Sequence, residues 1–320
     1  MVPLPTPWVL PAFLVATLAA AMAAEPENAA PGERLEVQRN GSVVMVLQRG
    51  PLAGGKPAGS GFIGSLRTPS GFEIATVQPA DHPHHFGIWW PWKFIDVGGK
   101  SYNSWEIQQG QARRVVRDVR KLPAGAGAWE MLSETEILEA GKPPEAVIRE
   151  SATITFHPEA PDAHALDIAI AQAPVSRPVT VAAYRYSGFA WRGPATWTAS
   201  NSRMLTSGGF GRDNANGTPA RWIVVTGPTP AGIASVLILS AAAVQAGGEE
   251  RLRVWDSKNQ SGTPFVNFNP VQNHPLALEP DHPAVSSRHY RVVAADHAIT
   301  AEEAETAWKN WTAGKTRKPI

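Results

Sequence analysis

Proline and glycine punctuate this chain more densely than a helical bundle tolerates, with 29 Pro and 28 Gly among 320 residues. Each breaks helix interiors and suits the turns between short strands, so the chain reads as predominantly β. Runs of β-type residues recur between Gly, Pro, Asn and Asp clusters, at Ser42 to Gln48, Trp222 to Thr226 and Ile233 to Ser240. The clearest alternation sets Ile148, Ala152, Ile154 and Phe156 against Arg149, Ser151, Thr153 and Thr155, with Glu150 the one charge on the apolar side. That pattern predicts a strand with one buried and one wet face. Leu166, Ile168 and Ile170 repeat it, and a turn over His157 to Asp162 makes the two strands a hairpin.

The chain shows no internal repeat and no change of composition that would mark a linker. Residues 35–320 therefore read as a single antiparallel β-sandwich domain. The exception to the β pattern is the C-terminal end, where Thr300 and Glu303 form a capping box and Ala304, Ala307, Trp308 and Trp311 share one helical face. This helix is expected to pack on a sheet, burying area without a catalytic role.

Met1 to Ala24 carries an apolar run followed by the small residues Ala21-Met22-Ala23, the pattern of a signal peptide. Residues 25–34 follow as a polar, flexible leader. The expected location is periplasmic or secreted. With no Cys, no disulfide framework holds the fold, and its stability must come from the core. The next apolar stretch, Ile233 to Val244, falls short of the roughly 20 residues a membrane helix needs, so no membrane span is expected once the leader is removed. A formal net charge of +1 with 18% charged residues argues against nucleic acid as a partner.

Three segments could carry chemistry. Asp81-His82-Pro83-His84-His85-Phe86-Gly87 holds three of the nine histidines and runs directly into Ile88-Trp89-Trp90-Pro91-Trp92. Imidazole can transfer a proton near neutral pH, and in neutral form it can ligate a divalent metal. His84 and His85 are the candidate acid/base residues, and His82, His84 and His85 together are the candidate metal ligands. A turn whose histidines merely cap backbone groups is the structural alternative. In an extended segment His82 and His84 share a side and His85 points away, unless Pro83 bends the chain. Trp89, Trp90 and Trp92 are candidate stacking walls for a sugar face, though indoles are also ordinary core material.

The second segment is Tyr184 to Pro194, where Arg192 stands between an aromatic strand end and a Gly-Pro turn, well placed to present its forked donors to a cleft. The third is Phe265 to His274, in which Asn267 and Gln272 alternate with aromatics as on a ligand-facing edge. Glu106, close to the tryptophans, is the one acidic candidate. No Gly-rich phosphate loop, His-Glu-x-x-His helix or Gly-x-Ser-x-Gly elbow is present, so nucleotide chemistry and common serine hydrolysis have no support.

At Asp81-His82-Pro83-His84-His85-Phe86-Gly87-Ile88-Trp89 the chain resembles a family of exported bacterial proteins catalogued as PmoA-like, or methane oxygenase PmoA. The likeness continues through Gly188 to Pro194, Pro264 to Gln272 and Tyr290-Arg291-Val292-Val293. Pro264-Phe265-Val266-Asn267 departs from the Pro-Trp-His pattern of many members. Literal methane oxidation is set aside, because it belongs to a bundle of bilayer-spanning helices. What the resemblance implies instead is a sandwich similar to the galactose-mutarotase-like supersandwich, found among exported polysaccharide-degrading systems.

The expectation is thus a carbohydrate-active protein performing epimerisation, elimination or cleavage on a small-molecule or oligosaccharide substrate. His84 or His85 would move the proton, and Arg192 would orient the sugar. The substrate-binding set would be His82, Trp89, Trp90, Trp92, Glu106, Asn267 and Gln272. A metal-dependent enzyme, with His274 and Asp281 as further ligands, and a noncatalytic carbohydrate-binding module are the alternatives. A divalent metal is the one cofactor that these residues would suit.

Overall fold

The computed structural model describes residues 33–52, 59–123, 127–242, 250–280 and 286–313. The signal-peptide reading of Met1 to Ala24 and the residues Asp281 and His282 lie outside them. The chain opens with β1 (Arg34–Arg39), β2 (Ser42–Gln48), β3 (Phe62–Leu66), β4 (Ile88–Trp89), β5 (Phe94–Val97) and β6 (Lys100–Asn103). Longer strands follow: β7 (Ala112–Lys121), β8 (Ala128–Ile137), β9 (Glu145–Ala160) and β10 (Ala163–Pro174). Next come β11 (Val179–Val181), β12 (Phe189–Arg192), β13 (Arg203–Thr206), β14 (Trp222–Thr229), β15 (Gly232–Ser240) and β16 (Arg251–Val254). The chain then forms β17 (Phe265–Asn269), β18 (Leu276–Leu278), β19 (Ser286–Ala295) and the helix α1 (Ala301–Ala313).

All pairings are antiparallel, as the short connections require. A seven-stranded sheet in the order β1-β2-β3-β4-β12-β17-β16 lies over an eight-stranded sheet in the order β13-β14-β15-β19-β10-β9-β8-β7. A smaller sheet, β18-β11-β5-β6, completes the all-β sandwich. Between the two large sheets lie Ile63, Ile88, Trp90, Trp191, Val266 and Phe268 from one side and Ile154, Leu166, Ile168, Val236 and Tyr290 from the other. Because side chains alternate along a strand, the same seven-stranded sheet sends Phe62, Trp89, Ala190 and Phe265 to its outer face, where they form a second apolar cluster.

The hairpin of β9 and β10 pairs Ile154 with Ile168, but its turn is tighter than the sequence suggests. Pairing runs on to Ala160 and Ala163, leaving Pro161 and Asp162 as the connection. The polar face of β9 is also less wet than expected. Ser151 is buried and donates to Glu130, and the neighbouring β7–β8 pair carries an arginine–glutamate ladder formed by Arg113, Arg117 and Arg120 with Glu130, Glu134 and Glu136.

At the C-terminus Thr300 and Glu303 form the reciprocal capping box, with the Thr300 amide donating to the Glu303 carboxylate at 2.7 Å and the Glu303 amide to Thr300 Oγ1 at 3.2 Å. The helix buries Ala304 and Trp311 against Trp222, Val224, Leu237 and Leu239, a packing role on the sheet. Among the described residues no helix is long and apolar enough to cross a membrane.

Glu150, the charge on the apolar side of β9, is buried but well partnered. It accepts from the Trp90 indole at 2.8 Å and Gln172 at 2.6 Å, and it ion-pairs with Arg114. Gln172 in turn accepts from Arg288 at 2.6 Å. Removing the carboxylate would strand the Arg114 guanidinium, and breaking a buried pair on one side costs about 3–5 kcal/mol. Glu150→Ala should lower unfolding stability by that amount in urea titration, whereas Glu145→Ala, which breaks the exposed pair with Arg177, should change it by less than about 1 kcal/mol. Equal effects would contradict the buried network.

Candidate functional site

The histidine segment is folded into turns rather than extended. The His82 amide donates to the Pro79 carbonyl and the His85 amide to the His82 carbonyl, both at 3.0 Å. The Gln78 amide closes the loop on the His85 carbonyl at 2.7 Å, and Val77 and Phe86 bridge its base. Gly87 then lets the chain enter β4: its φ is +68° and a Cβ there would stand 2.6 Å from the Ile63 carbonyl oxygen. These turns bring all three imidazoles together. Ring centroids are 5.5 Å apart for His82 and His84, 4.7 Å for His82 and His85, and 4.9 Å for His84 and His85.

The loop lies on the outer aromatic face of the seven-stranded sheet. His85 is the deepest, 2% exposed, stacked on Phe265 at 5.0 Å and packed beside Trp89 at 5.0 Å and Trp255 at 5.8 Å. Burial, reinforced by His84, His82 and Arg192, holds its pKa well below the usual imidazole value. His84 is 9% exposed, with Nδ1 at 3.3 Å from the Gln108 amide nitrogen. Burial pushes its pKa down to about 4, against an opposing pull from Glu106. His82 has the most open side chain of the three, 28% exposed. Of the two histidines that the sequence favours as proton carriers, His85 is sealed among rings and His84 is buried, while His82 is the more exposed.

Asp81 organises this group. One carboxylate oxygen, Oδ2, accepts from Arg192 Nη2 at 2.8 Å and lies 3.0 Å from His82 Nδ1. Burial pushes the Asp81 pKa up, but the His82 hydrogen bond and the Arg192 charge outweigh it and hold the carboxyl below its usual value. Arg192, at the end of β12, is 3% exposed, and its guanidinium lies 4.3 Å from the Trp255 ring centre. Its Nε and Nη1 have no acceptor among the described residues. The sequence does not pair Asp81 with Arg192 because 111 positions separate them and only the sheet order brings them together.

Beside His84, Glu106 binds Lys93 and Asn103. Burial raises the Glu106 pKa, but hydrogen bonds from Asn103 and Lys93 more than offset it, leaving the carboxyl below its usual value. Trp105 and Tyr186, 5.7 Å apart, extend the aromatic surface, and Tyr186 also carries the Arg253 and Arg185 guanidinium groups at 5.2 and 5.1 Å. Sequence reasoning misses Trp105, Tyr186, Trp255 and Lys93. The aromatic residues are spread over separate segments, and a lone lysine in a sequence gives no sign of being buried.

The remaining candidates from the sequence have other surroundings. Trp90 points into the main core and donates to Glu150, while Trp92 belongs to the core of the small sheet beneath Arg288. Trp89 does face the histidines, but at 4% exposed it is a floor under His85 rather than an open stacking wall. Asn267 is fully buried and spends its amide on backbone, donating to the Ser187 and Phe189 carbonyls at 2.8 Å each and accepting from the Ser187 amide at 3.2 Å. It fastens β17 to the segment leading into β12. Gln272, half-buried after β17, makes no described contact with the histidines. His274 is exposed in the same loop.

Among the described residues no three His, Asp or Glu side chains are gathered so as to hold a metal ion. Within the cluster, His82 and His85 stack face to face and His82 Nδ1 is committed to Asp81, so the nitrogens do not converge. Behind Trp89 and Trp105 lies a cavity of about 60 Å³, bordered also by Phe62, Phe86, Glu150 and Gln172. Small-molecule pockets run from roughly 300 Å³, so this space is of a size for water, whereas a more open cleft of about 420 Å³ lies between Ser70, Phe72, Glu73, Thr76, Pro194 and Thr229.

Fold and site together define an antiparallel β-sandwich protein with a histidine–arginine–carboxylate cluster seated on an aromatic outer face. The chain belongs to the family of unknown function DUF6807, whose profile matches residues 34–309. No curated protein matches the chain.

The lowered His84 pKa has a sign that can be tested. The folded protein keeps this imidazole neutral where the unfolded chain protonates it, so its contribution to stability is complete above pH ~6.5 and is lost as pH falls toward about 4. In His84→Gln the decline in urea stability between pH 7 and pH 4.5 should be shallower than in wild type. Parallel declines would show that His84 titrates normally.

Proposed function

We propose that this outer face is an acid/base site acting on a sugar or glycoside. The observation that carries the reading is the single Asp81 oxygen shared by His82 and Arg192, which sets a proton-transfer group and a cation side by side. Asp81 orients the imidazole through Nδ1 and leaves Nε2 for the substrate, the relation by which a carboxylate positions a histidine base. His84, neutral at physiological pH, stands 5.5 Å from His82 as a second acceptor. Polar groups of both kinds border an apolar aromatic bed, the mixture that a sugar's hydroxyl edge and C–H face call for.

In this reading His82 takes a proton from a sugar carbon next to a carbonyl-type group, and Arg192 holds the negative charge that develops on oxygen. Delivery of a proton to the opposite face by a water molecule there, with the His82 imidazolium releasing its own proton to solvent, gives epimerisation. Departure of a neighbouring alkoxide, which recovers a proton from the imidazolium, gives elimination. Elimination needs one base and one anion holder, and epimerisation needs a proton donor on the opposite face as well. The paired carboxylates of a standard glycosidase are not needed.

On an oligosaccharide turned over by wild type, His82→Ala should lower kcat by about 10²- to 10⁴-fold, the usual worth of a positioned base, with binding retained in calorimetry. Asp81→Asn should lower kcat less, because the imidazole loses its orienting partner. Undiminished turnover in His82→Ala would sink the proposal.

A further inference from the structure

Arg192 is buried, yet most of its hydrogen-bonding capacity is unused. Asp81 takes one hydrogen of Nη2, whereas Nε and Nη1 are enclosed with no acceptor among the described residues. A buried donor left unmade carries a large desolvation penalty, more so for a charged group, so this arrangement calls for an acceptor from outside the described residues. The surroundings favour an anion. Asp81 and Glu106 are already engaged by Arg192 and Lys93. Arg253 and Arg185 flank Tyr186 at the same aromatic cluster, and no carboxylate among the described residues pairs with either.

We infer that the substrate is an acidic sugar whose carboxylate pairs with the unpartnered edge of Arg192, with Arg253 and Arg185 drawing it in. This rests on the carbohydrate reading given above and names its substrate class. A planar carboxylate matches the fork of a guanidinium better than a single hydroxyl does. It also fits the proposed base: the hydrogen on the carbon bearing a carboxylate becomes removable once the carboxylate charge is neutralised, and Arg192 lies beside His82 through their shared partner Asp81.

The test uses wild-type protein and matched ligand pairs: oligomers of galacturonic, glucuronic, mannuronic and guluronic acid, each beside its carboxyl-reduced neutral counterpart, titrated by calorimetry. The inference expects at least one acid to bind about 10- to 100-fold more tightly than its neutral partner, the worth of a charge-assisted hydrogen bond. It also expects that preference to vanish in Arg192→Gln and to persist in His82→Ala. Equal affinity for acid and neutral members would overturn the anionic substrate while leaving the carbohydrate reading standing. Binding of neither member of any pair would overturn both. Should Arg192→Gln fail to fold, the methyl ester of the bound acid on wild-type protein makes the same comparison, and affinity undiminished by esterification would overturn the inference.

Discussion

The seven-stranded sheet is apolar on both faces, and the rest of the molecule is arranged around that fact. Ile63, Ile88, Trp191 and Val266 on one side meet the eight-stranded sheet, so Phe62, Trp89, Ala190 and Phe265 on the other need a cover of their own. The loop between Val77 and Phe86 supplies it, laying His85 on Phe265 and Trp89. Polar imidazoles are thereby brought down onto apolar ground. Burial there lowers the pKa of His84 and His85, so the chemistry of the cluster follows from the need to cover the sheet.

Much of the buried charge in this protein is placed in hydrogen-bonded networks. Arg114, Glu150, Gln172 and Arg288 form one such chain between the sheets, and Glu250 accepts from Tyr290 and Ser240 nearby. Arg192 differs in having two enclosed guanidinium nitrogens, Nε and Nη1, with no acceptor among the described residues. Its one carboxylate partner, Asp81, is shared with His82, so any group seated on the guanidinium is also placed next to the imidazole. The same economy explains Asn267, whose amide is wholly spent on holding β17 to the chain that delivers Arg192.

The sandwich is legible in the sequence wherever one residue's surroundings depend on its near neighbours. Alternation at Ile148 to Phe156, the repeat at Leu166 to Ile170 and the capping box at Thr300 and Glu303 each report local geometry, and each is present in the fold. The histidine segment is legible as a cluster, but the order of burial within it is not, because exposure depends on which sheet face the loop covers. Trp89, Trp90 and Trp92 look alike in sequence. Strand alternation and the crossing to the small sheet send them to three different cores. Asp81 reads as part of the motif without its partner, and Lys93, Trp105 and Trp255 carry no local signal at all. What joins them is strand order, with β4, β12 and β17 adjacent in space though far apart along the chain.

The central claim is that the imidazoles of this face move a proton on a sugar carbon, and isotope exchange reads that step whatever the product is. Acidic oligosaccharides incubated with the protein in deuterated water and followed by proton NMR should lose the signal of the hydrogen on the carbon bearing the carboxylate, at a rate that collapses in His82→Ala. A bound sugar whose carbon-attached hydrogens all persist, with wild type and variant indistinguishable, would contradict the account and leave the cluster a binding surface.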